Sequence, residues 1–246
     1  MTQQASILFA GDTHGRFRHL EEVVLSLRPD ALVLLGDIQA KSPLEQELAR
    51  IVDKTEVWWI HGNHDTDSEA DYDNLFGSAL ADRNLHGRVV EVAGVRIAGL
   101  GGIFRGRIWD PTEGMRYESA EDFMNRCMEE DPWRFGLPLR HRSSIFPEDY
   151  YSLVGQQADV LVTHEAPSCH PNGFEAIDEL ARSLGVESAF HGHHHDRLDY
   201  TGCWRALGFR AFGIGLRGIT RHDGGVVLPG ELDAMRAYRQ RQVLCT

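Results

Sequence analysis

Residues 6–15 read SILFAGDTHG, a short apolar run that stops at a turn of glycine, aspartate and histidine. The same grammar returns in ALVLLGD at 31–37 and VWWIHGN at 57–63, with helical patterns at 17–27 and 44–52 between the runs. Strand, helix, strand with crossovers of this length predicts a parallel sheet covered on both faces. In open α/β sheets, ligands gather at the loops that follow the carboxyl ends of strands. The polar residues that end these runs therefore carry the functional question.

Working outward, RVVEVAGVRIAGLGG at 88–102 predicts a β-hairpin turning at Ala93-Gly94. The alternation resumes with ADVLVTHEAP at 158–167, a helix at 174–184, ESAFHGHHH at 187–195 and glycine-rich β pieces from 198 to 228, before a short helix near 231–239. Residues 103–151 break the rhythm and read as an insertion within a single domain spanning 1–246. The chain has 246 residues, 42% of them hydrophobic, enough for a substantial core in one α/β domain.

A formal net charge of −12 argues against a basic-patch binder of long nucleic acids. Cys127, Cys169, Cys203 and Cys245 lack metal or redox spacing and fit reduced thiols. MTQQASILFAGD has no basic leader, and no run of about 18 apolar residues occurs, so the expectation is a cytoplasmic protein with no membrane partner.

Five predicted strands end in GDTHG, GDI, GNHD, THEAP and GHHH, and each supplies a potential metal ligand. Asp12 with His14, or Asp37 alone, would be an ordinary turn. Asn63 is more telling, because an amide carbonyl suits an oxygen-preferring divalent ion. Five such endings in order point to one site.

This ordered set resembles the calcineurin-like metallophosphoesterases, over about residues 6–195. The resemblance implies a four-layer α/β/β/α sandwich carrying the cap-like insertion, and two divalent ions. One ion would take Asp12, His14 and His195, the other Asn63, His164 and His193, with Asp37 bridging. Two cations about 3.5–4 Å apart need a shared anion and neutral ligands, which this set provides. Mn²⁺ is favoured, and the donor set also accepts Fe, Zn²⁺, Mg²⁺, Co²⁺ or Ni²⁺. The resemblance further implies hydrolysis of a phosphate ester by a bridging hydroxide attacking phosphorus in line, with His64 as general acid. Many relatives place a carboxylate three residues after the bridging aspartate to hold that histidine. Here the position is Ala40, and Asp65 is a neighbour that could serve instead.

Substrate choice is expected from the insertion, where Arg105, Arg107, Arg134, Arg140 and Arg142 stand among Trp109, Trp133 and Phe135. Arginine can clamp phosphate and aromatic rings can stack on a base, so a small phosphorylated compound or nucleotide is the expected substrate, with Arg105, Arg107, Arg140 and Arg142 as its contacts. A nuclease or phosphodiesterase, and a non-catalytic scaffold of the same fold, are the competing readings. In the histidine cluster, an extended backbone would turn His191, His193 and His195 one way and His194 the other. The family pattern selects His193 and His195 as ligands.

Overall fold

A computed structural model describes residues 5–127, 131–134 and 136–235. The first strands, β1 (Ile7–Ala10), β2 (Ala31–Leu35) and β3 (Glu56–Ile60), alternate with α1 (Arg18–Leu27) and α2 (Leu44–Glu47). They pair in parallel, β1 beside β2 beside β3. Their residues are almost all buried, as a sheet covered on both faces requires. The helical pattern at 44–52 is α-helical only to Glu47. Beyond it, Ala49, Ile51 and Lys54 bond three residues back instead of four, so turns carry Leu48 and Ile51 into the core.

After α3 (Glu69–Phe76), the expected hairpin forms from β4 (Arg88–Val92) and β5 (Val95–Leu100). The segment between β5 and the next long strand holds a small ribbon, β6 (Trp109–Asp110) with β7 (Gly114–Met115), then α4 (Ala120–Arg126) and α5 (Pro147–Leu153). Regular alternation returns with β8 (Val160–Thr163), α6 (Glu175–Leu184), β9 (Ser188–His191), α7 (Trp204–Leu207) and β10 (Arg210–Gly213), and ends with β11 (Ile219–Arg221) and β12 (Val226–Leu228). The short α7 was not legible within the glycine-rich stretch. The helix expected near 231–239 falls partly outside the described residues, as do Phe135 and Cys245.

Two five-stranded sheets result, ordered β12-β11-β1-β2-β3 and β10-β9-β8-β5-β4. One core lies between them: Phe9, Val33, Leu35 and Ile60 of the first meet Ile97, Val160, Val162 and Phe190 of the second. The Phe9 and Phe190 rings stack at 4.1 Å across this gap. A second core joins the outer face of the first sheet to α1 and α2, and a third joins the second sheet to α5, α6 and the 103–151 segment. The class is mixed α/β, as expected. Among the described residues, no helix is long and apolar enough to cross a membrane.

This architecture positions the site by direction. β1, β2 and β3 run parallel to one another, as do β8 and β9. The loops leaving their carboxyl ends therefore emerge on one side of each sheet, and these loops hold the residues singled out by sequence.

Candidate active site

The loop after β1 and the loop after β2 are zipped together by backbone bonds. The His14 amide donates to the Asp37 carbonyl at 2.9 Å, and the Gly15 amide to the Ile38 carbonyl at 2.8 Å. Asp12, His14, Asp37, His193 and His195 all carry positive φ, between 33° and 70°. They are half of the ten non-glycine residues in that region among those described. Such conformations cost of order 1–3 kcal/mol each and persist only where the surroundings dictate them, which marks a functional cluster. Two glycines make room for it. A Cβ on Gly36, whose φ is +93°, would sit 2.5 Å from His164 Nδ1, and one on Gly62 would collide with Asp37 Oδ1 and His164.

The side chains converge in two triads that share Asp37. His14, Asp37 and His195 form one; Asp37, His164 and His193 form the other, with the ligand atoms of each within 4.8 Å of one another. Asp12 lies outside both triads: its Oδ1 accepts the His193 amide at 3.0 Å and stands 4.0 Å from His164 Nδ1.

The imidazoles are oriented from behind. His164 Nδ1 donates to the Leu35 carbonyl at 2.8 Å, and His14 Nδ1 donates to Gln39 Oε1 at 2.6 Å, so each turns its Nε2 towards the site. His14 Nε2 points at His195 Nε2 2.9 Å away, and a proton or a cation has to lie between two such atoms.

The chemistry of this donor set fits divalent cations. Asp12 Oδ2, Asn63 Oδ1 and His164 Nε2 are buried with no hydrogen-bond partner, although His164 Nε2 is only 3.3 Å from Asp37 Oδ1. Orphaned buried polar atoms cost about 1–3 kcal/mol each, and three gathered in one place call for a ligand. Burial also pushes Asp12 up to about 7, against the opposing pull of His164 and the His193 amide. Burial would lower His164 too, but the Asp37 carboxylate outweighs it and lifts the imidazole to about 10. His193 is lowered to about 4 by burial and is neutral at pH 7, the form that ligates metal.

His64 sits beside this cluster in a 3₁₀ turn, His64–Thr66, with its amide donating to Asp37 Oδ1 at 2.9 Å. Its Nδ1 is 2.6 Å from Asp67 Oδ2. Burial would lower the imidazole, but the Asp67 hydrogen bond and the Asp37 charge together raise it. The partner of His64 is thus Asp67. Asp65 is buried and turned away: its two oxygens accept the amides of Gln39 at 2.7 Å and Gly62 at 2.8 Å. Ala40 is buried and contributes its carbonyl to Asn74 Nδ2. Gln39 and Asp67 escaped sequence reading, although HDTD does place a carboxylate three residues after His64.

The histidine cluster divides by a geometry other than the expected strand alternation. β9 ends at His191, and His193 and His195 adopt left-handed φ of 70° and 55°, so the backbone is not extended there. His191 Nε2 meets the Tyr200 hydroxyl at 3.1 Å, and His194 stacks on His170 at 3.8 Å.

The arginines separate too. Arg105 Nη2 reaches Ser143 Oγ at 3.4 Å, and Ser143 Oγ is 2.7 Å from Thr66 Oγ1, directly beside the His64 turn. Arg140 shares a cavity of about 420 Å³ with Thr66 and Asp67. Arg107 turns towards Cys127 Sγ, Arg142 lies over the Trp133 and Tyr72 rings, and Arg134 pairs with Asp73 and Glu69. Of the four expected contacts, the structure brings Arg105 and Arg140 to the site's edge and does not bring Arg107 or Arg142.

The model of the family described as calcineurin-like phosphoesterase matches residues 5–197. An uncharacterized protein of Haemophilus influenzae is 42% identical over 222 residues, covering 90% of this chain and 96% of its own length. Among solved structures, TT1561 of Thermus thermophilus superposes with a TM-score of 0.52 at 13% identity, covering 88% of this chain and 93% of its own. That likeness concerns the fold.

Proposed function

The chain belongs to the calcineurin-like phosphoesterases, and from that premise we propose that it hydrolyses small phosphate esters in the cytoplasm with two divalent ions. The observation that carries this reading is the sharing of Asp37 between two histidine triads, ringed by buried acceptors without partners. His14 and His195 would hold one ion with Asp12 beside them, and His164, His193 and Asn63 the other, with Asp37 between. Mn²⁺ is the first choice for a set that mixes imidazole, carboxylate and amide oxygen. Bound there, such a pair supplies Lewis-acid polarisation of the phosphoryl group and activation of the attacking water.

The residues of the chain do the rest. Gln39 and the Leu35 carbonyl fix which imidazole nitrogen faces the site. Asp37 accepts the His64 amide and so sets the height of that turn above the triads. His64 Nε2, on the ring edge opposite the Asp67 bond, delivers a proton to the leaving oxygen. The 103–151 insertion lines the approach through Arg105 and Arg140 and selects the substrate.

The test is hydrolysis of p-nitrophenyl phosphate and bis(p-nitrophenyl) phosphate with Mn²⁺, after chelation and after metal is restored. Metal-restored turnover of the monoester is expected, and turnover of neither would sink the enzyme reading. Faster diester hydrolysis would move the assignment to a phosphodiesterase. His64→Ala should retain metal while kcat falls by about 10²–10⁴, the usual contribution of a positioned acid. An unchanged rate would remove His64 from the mechanism.

A further inference from the structure

Among the arginines of the insertion, Arg105 stands in an unusual electrostatic position. Its segment is tied to both halves of the site. The amide of Phe104 donates to Glu165 Oε1 at 3.0 Å, next to His164, while Arg105 Nη2 reaches Ser143 and through it Thr66, two residues from His64. Its Nε is buried without a hydrogen-bond partner. Among the described residues, the surrounding charges do not neutralise it. Burial lowers its proton affinity first and the neighbouring Arg140 guanidinium next, against weaker help from Asp67 and Glu165. Asp67 is committed to His64, and Glu165 Oε1 to the Phe104 amide. A half-buried guanidinium with so little counter-charge, beside a second guanidinium, forms a place for an anion.

The scissile phosphoryl group does not need that place. In the function proposed above it lies over the two triads, whereas Arg105 lies past the Thr66–Ser143 contact on the His64 side, where the leaving group departs. We propose that Arg105, backed by Arg140, receives a second phosphate carried on the leaving group, so that the preferred substrate is a bisphosphorylated alcohol. This rests on the hydrolase reading. Water adds to the scissile phosphorus, the bond from phosphorus to the alcohol oxygen breaks, and His64 protonates that oxygen. The products are inorganic phosphate and a monophosphorylated alcohol held by Arg105 until release.

Propane-1,3-diol bisphosphate and propane-1,3-diol monophosphate test this directly, since loss of either phosphate from the symmetrical bisphosphate gives the same product. With the Mn²⁺-loaded protein, phosphate release should favour the bisphosphate in kcat/KM by roughly tenfold or more, the worth of one charge-assisted hydrogen bond, beyond the statistical doubling. Arg105→Ala should collapse that ratio towards the doubling, mainly through KM, and Arg105→Lys should restore part of it. A wild-type ratio no greater than the doubling would overturn the proposal, as would a ratio that survives in Arg105→Ala. Equal slowing of both compounds in that variant would overturn it as well, by assigning Arg105 to the scissile phosphoryl group. Should Arg105→Ala not fold, Arg105→Gln decides, since it keeps a polar side chain and removes the charge: a bisphosphate preference unchanged in that variant overturns the assignment. Loss of turnover on every ester, with metal bound, would instead remove the hydrolase reading on which this inference stands.

Discussion

Asp67→Asn keeps the size of the side chain that holds His64 and removes its charge. Two consequences follow from the 2.6 Å contact. The carboxylate raises the imidazole, so the variant's His64 should lose its proton at lower pH. A general acid works only while protonated, and the alkaline limb of the pH–rate profile should therefore move down. The loss should also depend on the leaving group. An alkyl alkoxide needs a proton to depart and p-nitrophenolate hardly does, so Asp67→Asn should slow an alkyl phosphate by about tenfold more than p-nitrophenyl phosphate, within what general acids contribute. Equal slowing of both would show that Asp67 only supports the fold. A sequence search for a holder of His64 looks to position 40, where Ala40 is buried and apolar, or to the adjacent Asp65, which is turned the other way. The true contact depends on the 3₁₀ turn that brings residues three apart onto one side, and that turn is not encoded by any apolar period.

At the scale of elements, the loops after β2 and β3 behave as one unit because Asp65 spans them. Both its oxygens are used, by the Gln39 amide and the Gly62 amide, and Gln39 in turn orients His14. Asp65→Ala would leave two buried amides without acceptors, each costing about 1–3 kcal/mol. The expected result is a melting temperature lower by several degrees together with weaker Mn²⁺ binding, read by calorimetry on the metal-free and metal-loaded protein. Intact metal affinity would show that the loops hold their shape without this carboxylate. Gly62→Ala should be harsher, because the new methyl would meet Asp37 and His164 at once. We expect no Mn²⁺ binding by titration in that variant, and normal binding would contradict the close approach. The strands themselves were legible because β1, β2, β3, β8 and β9 are unbroken apolar runs ending in turn residues. α7 was not, because its four residues are too few to show an apolar period, and the early end of α2 was not, because Ala49, Ile51 and Lys54 bond three residues back, which carries no signature in the apolar pattern.

Over the whole molecule, the triads join parts of the chain that sequence order keeps far apart: His14 and His195 meet across 181 positions. Recurrence of Asp, Asn and His at successive strand ends makes this convergence legible in the sequence, since parallel strands deliver their carboxyl ends to one side. Asp12 falls outside both triads, and His193 and His195 reach them through left-handed backbone, a choice set by the loop after β9 and not by strand alternation. Because one sheet supplies His14, Asp37 and Asn63 and the other supplies His164, His193 and His195, ions bound between them would clamp the two sheets to each other. Binding to the folded state alone stabilises by about 2.7 kcal/mol at a free metal concentration of 100 Kd, which for a chain of this size corresponds to roughly 5–10 °C. Chelation should therefore lower the melting temperature by that order. His193→Ala and His195→Ala should lose much of the difference and bind fewer ions per chain by elemental analysis. His194→Ala should retain both the shift and the ions, since its ring stacks on His170. A melting temperature indifferent to chelation, or a His194→Ala protein as depleted as His193→Ala, would show that the sheets are held together without metal and that the division of the histidine cluster is wrong.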